Sequence, residues 1–244
     1  AGVRGKVAQK PRLVVVGNGM AAMRVVEEIL RIAPDLYDIT VFGAERHGNY
    51  NRILLSPVLA GEKQVEEIML NAPEWYARHG IALHTGDPIV SIDRPRRTVR
   101  SQSGYETTYD RMLLATGSNP VIIPVSGNTL PGVVSFRDLH DVDAMIGAAK
   151  SGKYAVVIGG GLLGLKAANG LMRQGMKVTV VHLMESLMEP QLDRHAAAML
   201  KASLESRGLE FMMQAQTEEI LGHDRVIGVR FKDDTVIPAD LVVM

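Results

Sequence analysis

The chain alternates between short unbroken apolar runs and stretches of helical periodicity. Leu13-Val14-Val15-Val16 has no polar position, the pattern of a strand buried on both faces of a parallel sheet. A glycine-rich turn follows, Gly17-Asn18-Gly19-Met20-Ala21-Ala22. A helix is then predicted from about Ala21 to Ile32, with Val25, Ile29 and Ile32 on one face. Ile39 to Phe42 reads as the next strand, which completes a βαβ unit. Asn49 to Leu59 reads as a loop running into a helix, and Glu62 to His79 as helical with an interruption at Pro73. Ile81 to His84, Pro88 to Asp93 and Thr98 to Ser101 read as short strands. Arg111 to Ala115 reads as another buried strand, ending in Thr116-Gly117.

Ser126 to Gly132 is turn-rich, and Val142 to Lys150 is helical in pattern. The opening motif then returns. Ala155 to Ile158 is a strand, Gly159 to Gly164 a turn, Leu165 to Gln174 a helix and Val178 to Val181 a strand. Leu192 to Arg207 is predicted helical with Met199, Leu200 and Leu204 on one face. Further strands are expected near Phe211, at Val226 to Phe231 and at Leu241 to Met244. One βαβ module thus occurs twice, which is a duplicated domain type and no short-period repeat.

The chemistry lies in the turns. Gly159-x-Gly161-x-x-Gly164 has a glycine for a tight turn, one for close backbone approach to a pyrophosphate, and one for tight helix–strand packing. Gly17-x-Gly19-x-x-Ala22 is the same pattern with alanine third. A helix N-terminus behind such a turn offers free N–H groups to phosphate. The plain alternative is that these glycines only serve strand–helix turns, and two occurrences in the same context weigh against it. Met20, Ala21, Leu162 and Leu163 fall within the two turns. An acid near the end of the following strand holds the ribose hydroxyls in such folds. Glu45 is the candidate in the first module. In the second the place is taken by His182, with Glu185 nearby, so the choice between NADH and NADPH stays open.

Other polar groups have ordinary readings beside functional ones. Arg24 and Lys166 are phosphate ligands or solvated surface. His47, His79, His84 and His140 are expected to be exposed. Met184 and Met188 line a pocket or fill a core. Trp75 and Tyr76 shield a cofactor or, more simply, pack. Arg94 to Arg97 is a basic hairpin turn without an aromatic platform for nucleic acid.

Composition narrows the classes. Basic and acidic residues balance at 27 each in 244 residues, so no global field draws in nucleic acid or an anionic membrane. No apolar run is long enough to span a bilayer, and Ala1 to Lys10 is polar and basic without the apolar centre of a secretory signal. A cytoplasmic location is expected. With no cysteine, the chain itself offers no disulfide, redox-active thiol pair or cysteine-held iron–sulfur cluster.

Together these motifs resemble the FAD-dependent pyridine nucleotide-disulfide oxidoreductase superfamily, over nearly the whole chain from Leu13. Ile39 to Glu45, Asn49-Tyr50-Asn51-Arg52-Ile53-Leu54-Leu55-Ser56, Val157 to Leu183 and Met188 to Asp193 look like the N-terminal flavin half of the NAD(P)H-dependent assimilatory nitrite reductase large subunit. The resemblance implies an α/β fold of two Rossmann-like domains, an FAD domain over residues 1–125 and an NAD(P)H domain over 126–244 inserted into it. It implies that Glu45 and Arg52 contact FAD, that Ala115, Thr116 and Gly117 line the flavin site, and that Ile89 lies by the adenine. The chemistry implied is hydride transfer from NAD(P)H to flavin, then electron delivery to an iron–sulfur or sirohaem centre. A stand-alone reductase of rubredoxin, ferredoxin or a nitrate reductase is the nearest alternative, and a non-catalytic nucleotide-binding fragment the other. Such chemistry belongs to the cofactors, so no acid, base or nucleophile is expected.

The sequence departs from the family in three places. Pro57 stands where related reductases often carry lysine, and Lys166 where glutamate is common. The chain also reaches Met244 before the Ala-x-Gly-Asp-type motif that closes the flavin site in the superfamily. The 244 residues are therefore expected to be part of a longer protein.

Overall fold

A computed structural model describes residues 9–244. Most of the basic lead, up to residue 8, lies outside the described residues. The chain forms two compact units, one from the residues up to Asn51 with Ile68–Ser118, the other from Arg52–Glu67 with Asn119–Met244.

The first unit is built on a four-stranded parallel sheet in the order Ala82–Thr85, Asp38–Gly43, Arg12–Val16, Arg111–Leu114. The apolar run sits centrally, with Val14 opposite both Thr40 and Met112. Both its faces are covered, and Val14 and Val15 are fully buried. An antiparallel ribbon of Ile89–Asp93, Thr98–Ser101 and Glu106–Thr108 follows. Its first turn is the basic segment, where Arg97 takes a left-handed conformation.

The helix Met20–Ile32 packs on the sheet with only part of the expected face, since Ile29 lies against the core. Ala22, Met23 and Val26 are buried, whereas Val25 and Ile32 are exposed. Ala22 sets this face, because a small residue in the first turn lets the helix axis approach the strand. The helix expected over Glu62 to His79 is also corrected. That segment holds a 3-10 turn at Val65–Ile68, a strand at Met69–Asn71 and a helix at Pro73–Arg78. Pro73 starts the helix and does not interrupt one. It leaves Ala72 extended at ψ 158, as a residue before proline prefers, and it occupies the first helical position where a missing N–H is harmless. The strand at Met69–Asn71 pairs with Asn49–Tyr50, and the buried Asn49 amide donates to Asn71 Oδ1 at 2.8 Å. The strand at Arg111–Leu114 lies at the sheet edge, with Leu114 exposed and not buried as expected.

The second unit has a five-stranded parallel sheet in the order Val133–Val134, Leu241–Val243, Tyr154–Ile158, Lys177–Val181, Glu210–Met212. Helices Leu139–Ala149, Leu162–Arg173 and Arg194–Glu205 accompany it, with a small antiparallel sheet of Thr217–Gly222, Val226–Phe231 and Val236–Pro238. The short helix Leu55–Leu59 belongs here too. Leu59 fills the space over Gly170, and its carbonyl accepts from Gln174 at 2.7 Å. On the helix Arg194–Glu205, Leu204 is buried but Met199 faces solvent, so the expected apolar face is only partly realised. No described helix is long and apolar enough to cross a membrane.

Candidate functional site

Each unit repeats the same local construction. In the first, Gly17 sits at φ +111, and its N–H donates to the Phe42 carbonyl at 2.8 Å. A Cβ there would lie 2.2 Å from the Ala115 carbonyl oxygen, so the turn and the exit of strand Arg111–Leu114 touch only because residue 17 has no side chain. Gly19 is different, because a Cβ there would meet nothing within 4 Å. Its bareness serves no neighbour in the fold, as expected of backbone meant for a ligand. Ala22 is fully buried against the strand.

The second unit also has open and closed glycines, with the closed position moved from the first glycine to Gly164. Gly159 takes φ +125, its N–H donates to the Val181 carbonyl at 2.8 Å, and the space where its Cβ would lie is empty. Gly161 likewise faces open space. Gly164 does not, since a Cβ there would sit 2.0 Å from the Gly159 carbonyl oxygen. It lies in the first turn of the helix and not in a turn preceding it, as was expected. A cavity of about 430 Å³ is walled by Gly159, Gly161, Leu162 and Leu163 together with Phe136 and Arg137. Leu162 and Leu163 are exposed there, at 53% and 62%.

The two helix N-termini behind these turns are open. Gly19 and Gly161 occupy the cap positions without a side-chain cap, and neither first turn carries an acid. The other two long helices are capped by Asp138 and Asp193, which accept from Asp141 and Ala196 N–H groups. Uncapped N–H groups beside bare glycine backbone are what an anion would need for binding.

Around the first turn, Tyr76 donates through its hydroxyl to Asn18 Oδ1 at 2.7 Å. Tyr76 is buried, which pushes its phenol pKa up and keeps it a donor. Of the two readings for Trp75 and Tyr76, packing is what the structure displays. Glu45 accepts from the Tyr50 hydroxyl at 2.6 Å. Thr116 and Gly117 are exposed, Met20 is half-buried and Ala21 exposed. Ile89 packs on the cluster of Val14, Val16, Phe42 and Val99. Arg52 lies in the second unit and donates to the Arg137 carbonyl at 2.9 Å. Arg24 is in an ion pair with Glu28 at 2.6 Å and Glu185 with Arg194 at 3.0 Å, both on the surface. His84 is not simply exposed, because its ring stacks on Phe42 at 4.6 Å.

At the end of strand Lys177–Val181, where the sequence put His182, stands a pairing with Glu189 that sequence reasoning missed. His182 Nδ1 accepts the Gly160 N–H at 3.0 Å, and Nε2 lies 2.7 Å from Glu189 Oε1. An accepting Nδ1 places the ring proton on Nε2, which therefore donates to Glu189. The Glu189 carboxyl is held below the usual range, first by its own backbone N–H and then by the His182 ring, against a desolvation cost. The register also shifts an expected equivalence. Phe42 and Val181 accept the matching glycine N–H groups, so His182 corresponds to Gly43, and Glu45 corresponds to Met184. Glu189 lies seven residues beyond the histidine, and its sequence context carried no signal for the pairing. Arg137 and Phe136, from the loop before helix Leu139–Ala149, were likewise not legible.

Parallel sheets whose central strands each run through a glycine turn into an uncapped helix define an α/β protein of the dinucleotide-binding type. The profile of the pyridine nucleotide-disulphide oxidoreductase family matches residues 11–244, and the chain belongs to that family. It is 52% identical over 235 residues to nitrite reductase [NAD(P)H] of Bacillus subtilis, covering 96% of this chain and 29% of the relative. It is 43% identical to the assimilatory nitrate reductase electron transfer subunit of Bacillus subtilis, covering 97% of this chain and 31% of that protein. Among solved structures, an NAD-dependent persulfide reductase from A. fulgidus superposes with a TM-score of 0.89 at 27% identity, covering 95% of this chain and 45% of that one. The chain thus spans less than a third of the two curated relatives.

Proposed function

We propose that this chain is the FAD- and NAD(P)H-binding part of an electron-transferring oxidoreductase of nitrite reduction. FAD is held in the first module by Gly17, Gly19, Met20, Ala21 and Ala22, with Glu45 on its ribose and Ile89 by its adenine. Ala115, Thr116 and Gly117 line the flavin side. NAD(P)H is held in the second module by Gly159, Gly161, Leu162, Leu163 and Gly164. Residues 1–125 and 126–244 are the two Rossmann-like domains of this scheme, the second inserted in the first, while Arg52–Glu67 and residues 119–125 belong to the second compact unit.

One observation carries the reading. In each unit a glycine whose Cβ would meet nothing, Gly19 or Gly161, caps a helix that has no side-chain cap. Neither feature serves the fold, and both suit a pyrophosphate. When bound, the cofactors supply the redox chemistry, a hydride passing from nicotinamide to flavin. The residues of the chain bind and orient them and shed water, and none is required to move a proton. Electrons then pass to an iron–sulfur or sirohaem centre outside this chain, which has no cysteine to hold one.

The likeness to a nitrate reductase electron transfer subunit favours a second reading, in which the acceptor is a nitrate reductase and the flavin chemistry is unchanged. The deciding experiment is the visible spectrum of the protein with FAD, before and after NADH without oxygen. Bound flavin bands that bleach are expected. Flavin that stays free and oxidised would leave only a non-catalytic nucleotide-binding module.

A further inference from the structure

The choice between NADH and NADPH can be argued from the end of strand Lys177–Val181, and the argument rests on the dinucleotide reading of the second module. In such folds the group at this strand end meets the adenosine ribose. Here the first residue past the strand, two positions before the equivalent of Glu45, is His182, with both ring nitrogens engaged, by the Gly160 N–H at 3.0 Å and by Glu189 at 2.7 Å. The imidazole has no lone pair left for a hydroxyl. What it presents instead is the carboxylate it holds.

We propose that Glu189 is the acid that accepts the adenosine ribose hydroxyls, that His182 is its positioning residue, and that the pair selects NADH over NADPH. The His182 side chain is 11% exposed and that of Glu189 31%. The histidine is thus enclosed, and its partner keeps open surface. A carboxylate has about four lone-pair sites, of which the His182 N–H and the backbone N–H of Glu189 itself use two, leaving two acceptors for a pair of vicinal hydroxyls.

The local charge points the same way. From His182 to Asp193 the loop carries Glu185, Glu189 and Asp193 and no lysine or arginine. The next cation, Arg194, is already in an ion pair with Glu185. A 2′-phosphate would meet a carboxylate with no cation from this loop to offset it. The ring does not supply one either, because protonating Nδ1 would set two donors, the Gly160 N–H and the new N–H, against each other. Gly160 is shaped for this arrangement, since a Cβ on it would lie 2.8 Å from His182 Cγ and 2.6 Å from Leu187 Cδ2.

The test is titration calorimetry of the whole protein with ADP-ribose and with 2′-phospho-ADP-ribose, probes that need neither flavin nor turnover. ADP-ribose is expected to bind at least about tenfold more tightly. Glu189→Gln, which keeps the shape and removes the charge, is expected to bring the ratio close to unity. Glu189→Asp, which keeps the charge, should retain the preference. Equal binding of both probes by the unaltered protein overturns the proposal, as does an unchanged ratio in folded Glu189→Gln. Failure of both probes to bind removes the dinucleotide reading of this module and the proposal with it. The wild-type ratio needs no variant, and histidine nitrogen shifts by NMR check the tautomer independently. A ring protonated on Nδ1 would overturn the positioning role.

Discussion

His182 occupies the space that Gly160 leaves empty, and in the other unit Asn18 occupies the space that Gly43 leaves empty. A Cβ on Gly160 would lie 2.8 Å from the histidine ring, and one on Gly43 would lie 3.0 Å from Asn18 Cβ. The matching glycine N–H bonds make residues 160 and 18 equivalent, and residues 182 and 43 equivalent. The two modules thus solve one packing problem with large and small residues exchanged between turn and strand end. Gly160→Ala is expected to displace both His182 and Leu187. It should cost about 1–3 kcal/mol, the usual penalty for overpacking, measured by chemical denaturation. It should also break the bond from the Gly160 N–H to His182 Nδ1, read from the histidine nitrogen shifts by NMR.

Gly164 and Gly161 of the second module are expected to separate in their effects. Gly164→Ala drives a methyl to 2.0 Å from the Gly159 carbonyl, so the helix must move off the strand and stability should fall by about 2 kcal/mol or more. Gly161→Ala meets open space at an ordinary φ of −85 and should unfold at an unchanged temperature. Its methyl projects where the pyrophosphate is proposed to lie, so ADP-ribose affinity should drop about tenfold or more. Thermal unfolding and calorimetry on the same two samples check both.

Tyr76→Phe removes one oxygen from a buried ring and leaves Asn18 Oδ1 without its 2.7 Å donor. A loss of about 1–2 kcal/mol is expected for an acceptor stranded beside a core. Because Asn18 lies between Gly17 and Gly19, FAD retention should weaken as well. Urea denaturation gives the first quantity and flavin fluorescence on dialysis the second.

Acid should weaken the second unit through Asp240. Its carboxylate accepts the Lys153 and Tyr154 N–H groups at 2.7 and 2.9 Å, and these bonds, that to Tyr154 first, hold it below its ordinary value of 3.8. A depressed folded value means the contribution is complete above the ordinary value and is lost as pH falls through the lowered one. Asp240→Asn should cost about 1 kcal/mol near neutrality, a modest figure because the group is partly open to water. The difference between variant and wild type should vanish at the acid end of a stability-versus-pH series.

Local pattern was enough wherever one residue type answers one local demand. Val14 and Val15 permit only a strand covered on both faces, and they form one. The glycine turns at Gly17 and Gly159 and the strands they end were legible for the same reason, as was the basic hairpin at Arg94 to Arg97. Where a segment is amphipathic in more than one way, local pattern misled. Glu62 to Ala72 has helical composition, but pairing of Met69–Asn71 with Asn49–Tyr50 draws part of it into a strand. On helix Met20–Ile32 both Val25 and Val26 are apolar, and only the sheet beneath decides that Val26 is buried.

What the amino-acid order determined by itself was the class of fold and the place of two glycine turns between strand and helix. Backbone geometry at glycine, and strands with no polar position, are properties of a few consecutive residues. What only the tertiary structure decided was which side chains meet at those turns. Tyr76 reaches Asn18 across 58 positions, and Glu189 takes the free edge of His182. The first contact exists because the fold brings distant segments together, and the second because the loop after strand Lys177–Val181 folds back on the strand end; a side-chain pairing made either way leaves no periodic trace in the chain.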